Sequence, residues 1–491
     1  MKPLCFIILL IIVFISVALA QVESLPAPII NNKSFEILSN NRYSVHSGFT
    51  SSLSNQVLSN VLWATNKAPR IGSYREIYVA TPANVYRYDT SNHTLVLHLA
   101  GNHRYVSGSA FEVGIATDRH EETGFLVQAG LLAGHAFRDI SASSNVASCP
   151  MRYAADYANS NWSPVHPIKC VNVFGKYNNT ALDTTCLAVS SNSSLPLPRT
   201  NGNDTFEVVL SMLEQDSVFN QAALSLQSIS QLAWAGYGVT PHMGLGRRGL
   251  TVPSAVAAYY LTRKIYTARD VGVHRYNNRQ PPGTGLTTSD HRLEQITSED
   301  RRSQLRTASA RIPSTAPAYF VICVSDTGAY GPMQEAGFAG FQLLMQANIL
   351  GLNGFLTVPL NRTERTAIIS ALGIPISDLP VIVFSCGEPV TSINESRSNI
   401  IENDRLQVTS LNNMKIRIDY WLTDPAIPDL AIYDLTGRLV YAFEKKFDTA
   451  GHHNVEWNKK DQNNHFVPSG VYICKLIKNN KVNSIQFVIT K

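Results

Sequence analysis

Chemistry in this chain is most concentrated in Gly246-Arg247-Arg248-Gly249-Leu250-Thr251-Val252-Pro253-Ser254-Ala255, which runs on into Val256-Ala257-Ala258-Tyr259-Tyr260. Glycine frees the backbone and removes side-chain bulk. Arginine offers forked donors to a phosphate or carboxylate. Such a loop can grip a flat, anionic ligand. A solvated Gly-Arg turn ahead of an apolar strand is the plainer reading, and local composition alone favours it. No Ser/His/Asp set, paired-carboxylate motif or CxxC spacing accompanies the loop, so no metal is expected. His103 and His242 are candidate substrate contacts. Tyr259 and Tyr260 serve either a pocket or a core.

The loop follows a helix-like segment that carries Trp234. That segment, Leu224-Ser225-Leu226-Gln227-Ser228-Ile229-Ser230-Gln231-Leu232-Ala233-Trp234-Ala235, repeats Leu53-Ser54-Asn55-Gln56-Val57-Leu58-Ser59-Asn60-Val61-Leu62-Trp63-Ala64. Both copies space their apolar residues as a helix does. The repeat continues in order. Val85-Tyr86-Arg87-Tyr88-Asp89 matches Val273-His274-Arg275-Tyr276-Asn277, and Glu122-Thr123-Gly124-Phe125 matches Glu335-Ala336-Gly337-Phe338. Residues 379–386 read as a buried strand, with Val171-Asn172-Val173-Phe174 as its twin. One module therefore occurs twice. Residues 287–311 are polar and charged, and read as an exposed helix, a lid-like insertion or a solvated face.

At 491 residues the chain exceeds one ordinary domain. Its net charge of +5, from 41 Lys+Arg against 36 Asp+Glu, includes no long basic run, so nucleic acid is not indicated. Met1-Lys2, an apolar run from Cys5 to Val17 and Ala18-Leu19-Ala20 read as a secretory signal peptide, cleaved before Gln21. No later apolar run is long enough for a transmembrane span. Export permits a disulfide among Cys149, Cys170 and Cys186, whereas Cys323 and Cys386 read as buried thiols.

From about residue 408 short alternating strands and turns predict a small all-β sandwich. Ile432-Tyr433-Asp434-Leu435-Thr436-Gly437-Arg438-Leu439-Val440, then Gly451, Val455, Trp457, Asp461 and Val467-Pro468-Ser469-Gly470-Val471-Tyr472, resemble the type A sorting domain of the Bacteroidota type IX secretion system. The resemblance implies the type IX secretion machinery as partner, and a secreted or cell-surface protein exported across inner and outer membranes.

The repeated module resembles the nitroreductase family, especially its SagB-type dehydrogenase branch. The carriers are Gln231-Leu232-Ala233-Trp234-Ala235-Gly236-Tyr237-Gly238-Val239-Thr240, Arg247-Arg248, Thr251-Val252-Pro253-Ser254-Ala255 and Glu335-Ala336-Gly337-Phe338. The resemblance implies an α+β fold of two fused nitroreductase-like modules, each an antiparallel sheet with helices, forming an intramolecular pseudo-dimer. The expected order is signal peptide 1–20, degenerate module 21–180, linker 181–204, second module 205–392, linker 393–407 and sorting sandwich 408–491.

The family's flavin phosphate grip, Arg-x-Ser-x-Arg, survives in the first copy as Arg42-Tyr43-Ser44-Val45-His46. In the second it is Gln215-Asp216-Ser217-Val218-Phe219, and an aspartate there repels phosphate. The Pro-Ser-Ala loop survives only in the second copy. One FMN per chain is therefore expected, with Arg42, Ser44 and His46, joined by Arg138, on the phosphate. Pro253, Ser254 and Ala255 would face the ring or ribityl chain, with Arg247 or Arg248 nearby. Val256 stands where the family often has glycine. The family's Gln-Asn pair is reduced to Gln128-Ala129 and Phe341-Gln342. The expected function is an exported FMN-dependent oxidoreductase acting on an unidentified small molecule. The alternative is a non-catalytic secreted or surface protein that kept the fold and lost flavin chemistry.

Overall fold

The computed structural model describes residues 21–50, 52–139, 142, 144–178, 188–189, 195–244, 247–254, 258–279, 288–390, 406–412, 415–422, 424–434, 438–478 and 481–489. Within these, only the backbone is described for 188–189, 241–244, 247–248, 279, 288–289, 409–412 and 481–482. The signal peptide, Ala255 and Cys186 lie outside the described residues. The chain divides into two compact units, Met1–Pro389 and Val390–Lys491.

The first half of the first unit contains β1 (Val22–Ser24), α1 (Phe35–Asn40), α2 (Asn55–Lys67), β2 (Arg75–Ala80), β3 (Asn84–Asp89) and β4 (Thr94–Ala100). It continues with β5 (Phe111–Thr117), α3 (His120–His135), β6 (Ser144–Met151), α4 (Arg152–Asn161) and β7 (Ile168–Asn178). The second half runs through β8 (Ala188–Val189), α5 (Phe206–Ser211), α6 (Leu226–Tyr237), β9 (Val239–Gly244), β10 (Arg247–Leu250), β11 (Ile265–Arg269) and β12 (Gly272–Arg279). It closes with β13 (Thr288–Thr297), α7 (Arg302–Thr307), β14 (Ala318–Val324), α8 (Tyr330–Ile349), β15 (Asn353–Thr357), α9 (Arg362–Leu372) and β16 (Leu379–Gly387).

Each half builds a seven-stranded sheet, and the strand orders correspond position by position: β6-β7-β5-β2-β3-β4-β1 and β15-β16-β14-β11-β12-β13-β8. Pairing is antiparallel except between β13 and β8. β5 and β14 are buried along their whole length because both sheet faces are covered. One apolar core joins the inner faces of both sheets with α2, α3, α6 and α8. Separate clusters cover the outer faces, one involving α4 and the other α7 and α9.

The halves meet along α3 and α8, which are apolar all round and buried accordingly. They touch at glycines. A Cβ on Gly337 would stand 2.2 Å from the Glu121 carbonyl oxygen and 2.9 Å from the Gly124 Cα. Only glycine permits that approach. A second junction lies where Ser34 and Thr205 form an antiparallel bridge, and Phe206 N–H donates to the Lys33 carbonyl at 2.9 Å.

Two expectations need correction. The charged stretch 287–311 is no lid: residues 288–297 form strand β13 and 302–307 the short helix α7, whose Leu305 is fully buried, while Gln295, Ser298, Glu299, Asp300, Ser303 and Gln304 are exposed, as a solvated face would be. Arg306 there donates to the Tyr319 hydroxyl and the Ala316 carbonyl. Cys149 and Cys170 are free buried thiols, so neither joins the disulfide that export would permit. Both sit on strands where the apolar interior offers a small thiol a place to pack.

The second unit contains β17 (Leu406–Asn412), β18 (Lys415–Leu422), β19 (Asp429–Asp434), β20 (Leu439–Ala442), β21 (Gly451–Trp457), β22 (Gly470–Lys478) and β23 (Lys481–Ile489). They form two sheets, β17-β18-β21 and β20-β19-β22-β23. Side chains of Ile416, Ile418, Tyr420, Ile432, Trp457 and Cys474 pack between them. Among the described residues, no helix is long and apolar enough to cross a membrane.

Candidate functional site

The chain leaving α1 carries Arg42 inward against the second half. Arg42 is 5% exposed. Its Nε and Nη2 donate to the Leu250 carbonyl at 3.2 and 3.0 Å, and Nη2 also donates to the Val252 carbonyl at 3.0 Å. Nη1 donates to the Ser44 hydroxyl at 3.2 Å. The structure thus brings together Arg42, Ser44 and the loop that follows β10, although 208 residues separate Arg42 from Leu250.

Arg138, just past α3, joins them. Its Nη1 donates to the Asn41 carbonyl at 2.8 Å, and its guanidinium stacks 3.5 Å over the Tyr43 ring. Its buried Nη2 has no hydrogen-bond partner among the described residues. Lys33 Nζ donates to the Arg138 carbonyl. Burial, with the repulsion of Arg42, holds the Arg138 guanidinium down to about 9. Burial holds Arg42 down to about 10, with Glu335 pulling the other way. Two adjacent buried cations without a bonded carboxylate are unfavourable, and an anion beside them would relieve this.

His46 lies at the exposed edge, its Nδ1 3.3 Å from Cys149 Sγ. Burial pushes that thiol up to about 12, so it stays protonated and is no nucleophile.

The loop owes its path to the β9–β10 hairpin, which ends at Leu250. Thr251 N–H donates to the Gly238 carbonyl at 3.0 Å. The Thr251 carbonyl accepts from Gln128 of α3 at 3.2 Å and from Gln342 of α8 at 2.9 Å. Pro253 is buried beside them. The Ser254 hydroxyl accepts the Tyr259 N–H at 2.6 Å, and Tyr259 holds φ +53°. Arg247 and Arg248 lie on β10, but their side chains, like that of His242, are outside the described residues. His103 Nε2 donates to the Ala100 carbonyl, 3.0 Å away in its own turn.

The equivalent positions in the opposite direction are filled otherwise. Gln215 accepts from Leu356 N–H at 2.9 Å, and Asp216 accepts from Val218 N–H at 2.9 Å and the Asn353 amide at 3.0 Å. The loop at 68–72 is clasped by Arg75, which donates to the carbonyls of Asn66, Ala68 and Pro69 and pairs with Glu122 at 2.7 Å. Sequence reasoning missed this clasp. It also missed the three loop carbonyls as acceptors, because main-chain oxygens carry no residue signature.

No protein-family model matches the chain. No curated protein matches it either. Among solved structures, it is similar to a protein of Anabaena variabilis assigned as a nitroreductase, at 12% identity and TM-score 0.49, over 71% of this chain and 93% of that one. A Ralstonia eutropha protein with the same assignment matches at 21% identity and TM-score 0.34, over 44% of this chain and 97% of that one. A third, from Desulfovibrio desulfuricans and solved with FMN, matches at 14% identity and TM-score 0.26, over 40% of this chain and 92% of that one.

An FMN phosphate suits the cationic end, where Arg138 Nη2 and one Nη1 hydrogen of Arg42 remain open among the described residues. The loop end differs. Arg42 and the loop, expected on two sides of a ligand, bond each other directly.

Proposed function

We propose that the first unit is a nitroreductase-type flavin oxidoreductase of the SagB-like kind, with one FMN site shared between its halves. The observation that carries this reading is the buried Arg42–Arg138 pair, with Arg138 Nη2 unpartnered and no carboxylate bonded to either arginine among the described residues. Arg42, Arg138 and Ser44 would hold the phosphate, with His46 at the rim. Pro253 and Ser254 would face the ring, with Ala255, Arg247 and Arg248 as further candidates beside them. FMN supplies hydride or electron transfer when bound. The chain's own residues bind the anion, exclude water from it and fix its orientation.

A second reading, a secreted or surface protein that keeps the fold without flavin chemistry, is favoured by the direct Arg42–loop bonds. In both readings the first twenty residues direct export, and the second unit engages the type IX secretion machinery. The substrate is a small molecule.

Visible absorbance of the purified chain decides between the readings. The flavin reading expects one FMN per chain and its loss in Arg138→Gln. Two per chain would break the single-site arrangement. A colourless protein that takes up no FMN on supplementation would leave the second reading.

A further inference from the structure

Three consecutive carbonyls, those of Leu250, Thr251 and Val252, receive side-chain donors that converge from separate elements. Arg42 comes from the first half beyond α1, Gln128 from α3, and Gln342 from α8. Gln342 is itself steadied by Ser39, with its Nε2 3.2 Å from the Ser39 hydroxyl. Residues 250–252 are at most 1% exposed. Main-chain oxygens here take the donors that an oxygen-rich ligand would take.

The fold itself does not demand this arrangement. The corresponding loop of the first half is clasped by Arg75 and Glu122 of that same half and needs nothing from across the interface. The 250–252 segment leaves its hairpin only at its far end: after a register shift between Arg248 and Gly249, Leu250 still pairs with Val239 and Thr251 N–H donates to the Gly238 carbonyl at 3.0 Å, while Val252 lies beyond β10. Side chains hold its carbonyls, and such contacts are individually weak, about 1 kcal/mol each.

We infer that residues 250–252 are an internal occupant of the interfacial site, an autoinhibitory plug held by Gln128, Gln342 and Arg42 that an anionic, flat ligand must displace. The inference rests on the flavin reading for the identity of that ligand. Arg138 Nη2 offers the first contact to the incoming phosphate. Arg42 then exchanges its loop carbonyls for phosphate oxygens, a charge-assisted and therefore stronger partner. Gln128 and Gln342 are positioning residues: they set how readily the plug leaves.

The test is FMN titration combined with hydrogen exchange on the full chain. Ligands ordinarily slow exchange at their sites. Here the amides of Thr251 and Val252 should exchange faster once FMN is bound. Gln128→Met and Gln342→Met should each tighten FMN binding about tenfold, because each removes one bond that holds the plug. Arg138→Gln should weaken binding while leaving exchange in the FMN-free protein unchanged. Tight wild-type binding that slows those amides, with no gain in the glutamine variants, overturns the plug and leaves the flavin reading standing. No binding by any variant, although the loop exchanges faster in the glutamine variants, removes the flavin reading and makes the contact a plain clasp. If the variants do not fold, the direction of the exchange change in the wild-type protein decides.

Discussion

The two halves of the first unit secure the same loop by different means. In the first half, Arg75 and Glu122 clasp residues 68–72 locally, and the guanidinium is neutralised by a carboxylate 2.7 Å away. In the second half, the arginine comes from across the interface, and among the described residues no acid is bonded to it. One arginine is a structural fixture whose charge is balanced. The other keeps an unbalanced charge beside a second buried cation. A charge left unbalanced in a protein interior marks a place where something outside the chain can still contribute.

The halves also share a device. In the first, the Ser59 hydroxyl bonds the Pro26 carbonyl and lies 2.8 Å from His93 Nε2, while His93 Nδ1 is 2.7 Å from the Tyr88 hydroxyl. In the second, Ser230, Pro196, His291 and Tyr276 repeat this chain, with 2.7 and 2.8 Å at the two histidine nitrogens. Each set of bonds ties the irregular segment leading into its half onto that half's helix and hairpin. The fixed parts of the module were thus kept in duplicate while the site was not.

The strongest way to break the comparison is at the meeting of the halves. Gly337→Val would drive a side chain into the Glu121 carbonyl and should remove more than about 4 kcal/mol. Loss of the soluble, cooperatively melting protein would show this. A stable variant would mean that α3 and α8 do not meet there. Arg75→Met comes next, at about 3–5 kcal/mol in chemical denaturation, since it strands the buried Glu122 carboxylate.

Acid should act on the second half through His291. Burial holds its imidazole down to about 4, so between about 4 and its ordinary 6.5 the folded state binds fewer protons than the unfolded chain. Its contribution is complete above pH about 6.5 and is lost as pH falls towards 4, up to about 3 kcal/mol. Melting temperatures of wild type and His291→Gln over that range test this, and equal slopes would refute it. The smallest effect belongs to Arg42→Met, about 1–3 kcal/mol, because no carboxylate is stranded and a desolvated charge is removed. If Arg42→Met proved more damaging than Arg75→Met, the contrast between a balanced and an unbalanced arginine would fail.

Legibility in the sequence followed local physics. Helical spacing over 53–64 and 224–235 corresponds to α2 and α6, because burying one helix face imposes a period that a single segment displays. The apolar run at 379–386 lies in β16, covered on both faces. The lid reading of 287–311 misled because a strand can carry charged residues while its backbone pairs within a sheet, whereas the solvated-face reading agrees with the exposure of Gln295, Ser298, Glu299 and Asp300. The disulfide expected among Cys149, Cys170 and Cys186 misled for the first two, which are free buried thiols, because clustering in sequence does not by itself set pairing.

For the loop that begins at Gly246, residue types alone marked a place able to hold an anion, because arginine donors and glycine freedom are properties of the residues themselves. Tertiary structure alone decided what those donors reach. Arg42 meets the carbonyls of Leu250 and Val252 only because two sheets of matching order bring their inner faces together over α3 and α8. The acceptors are main-chain oxygens, present at every residue. Only folding could select those three.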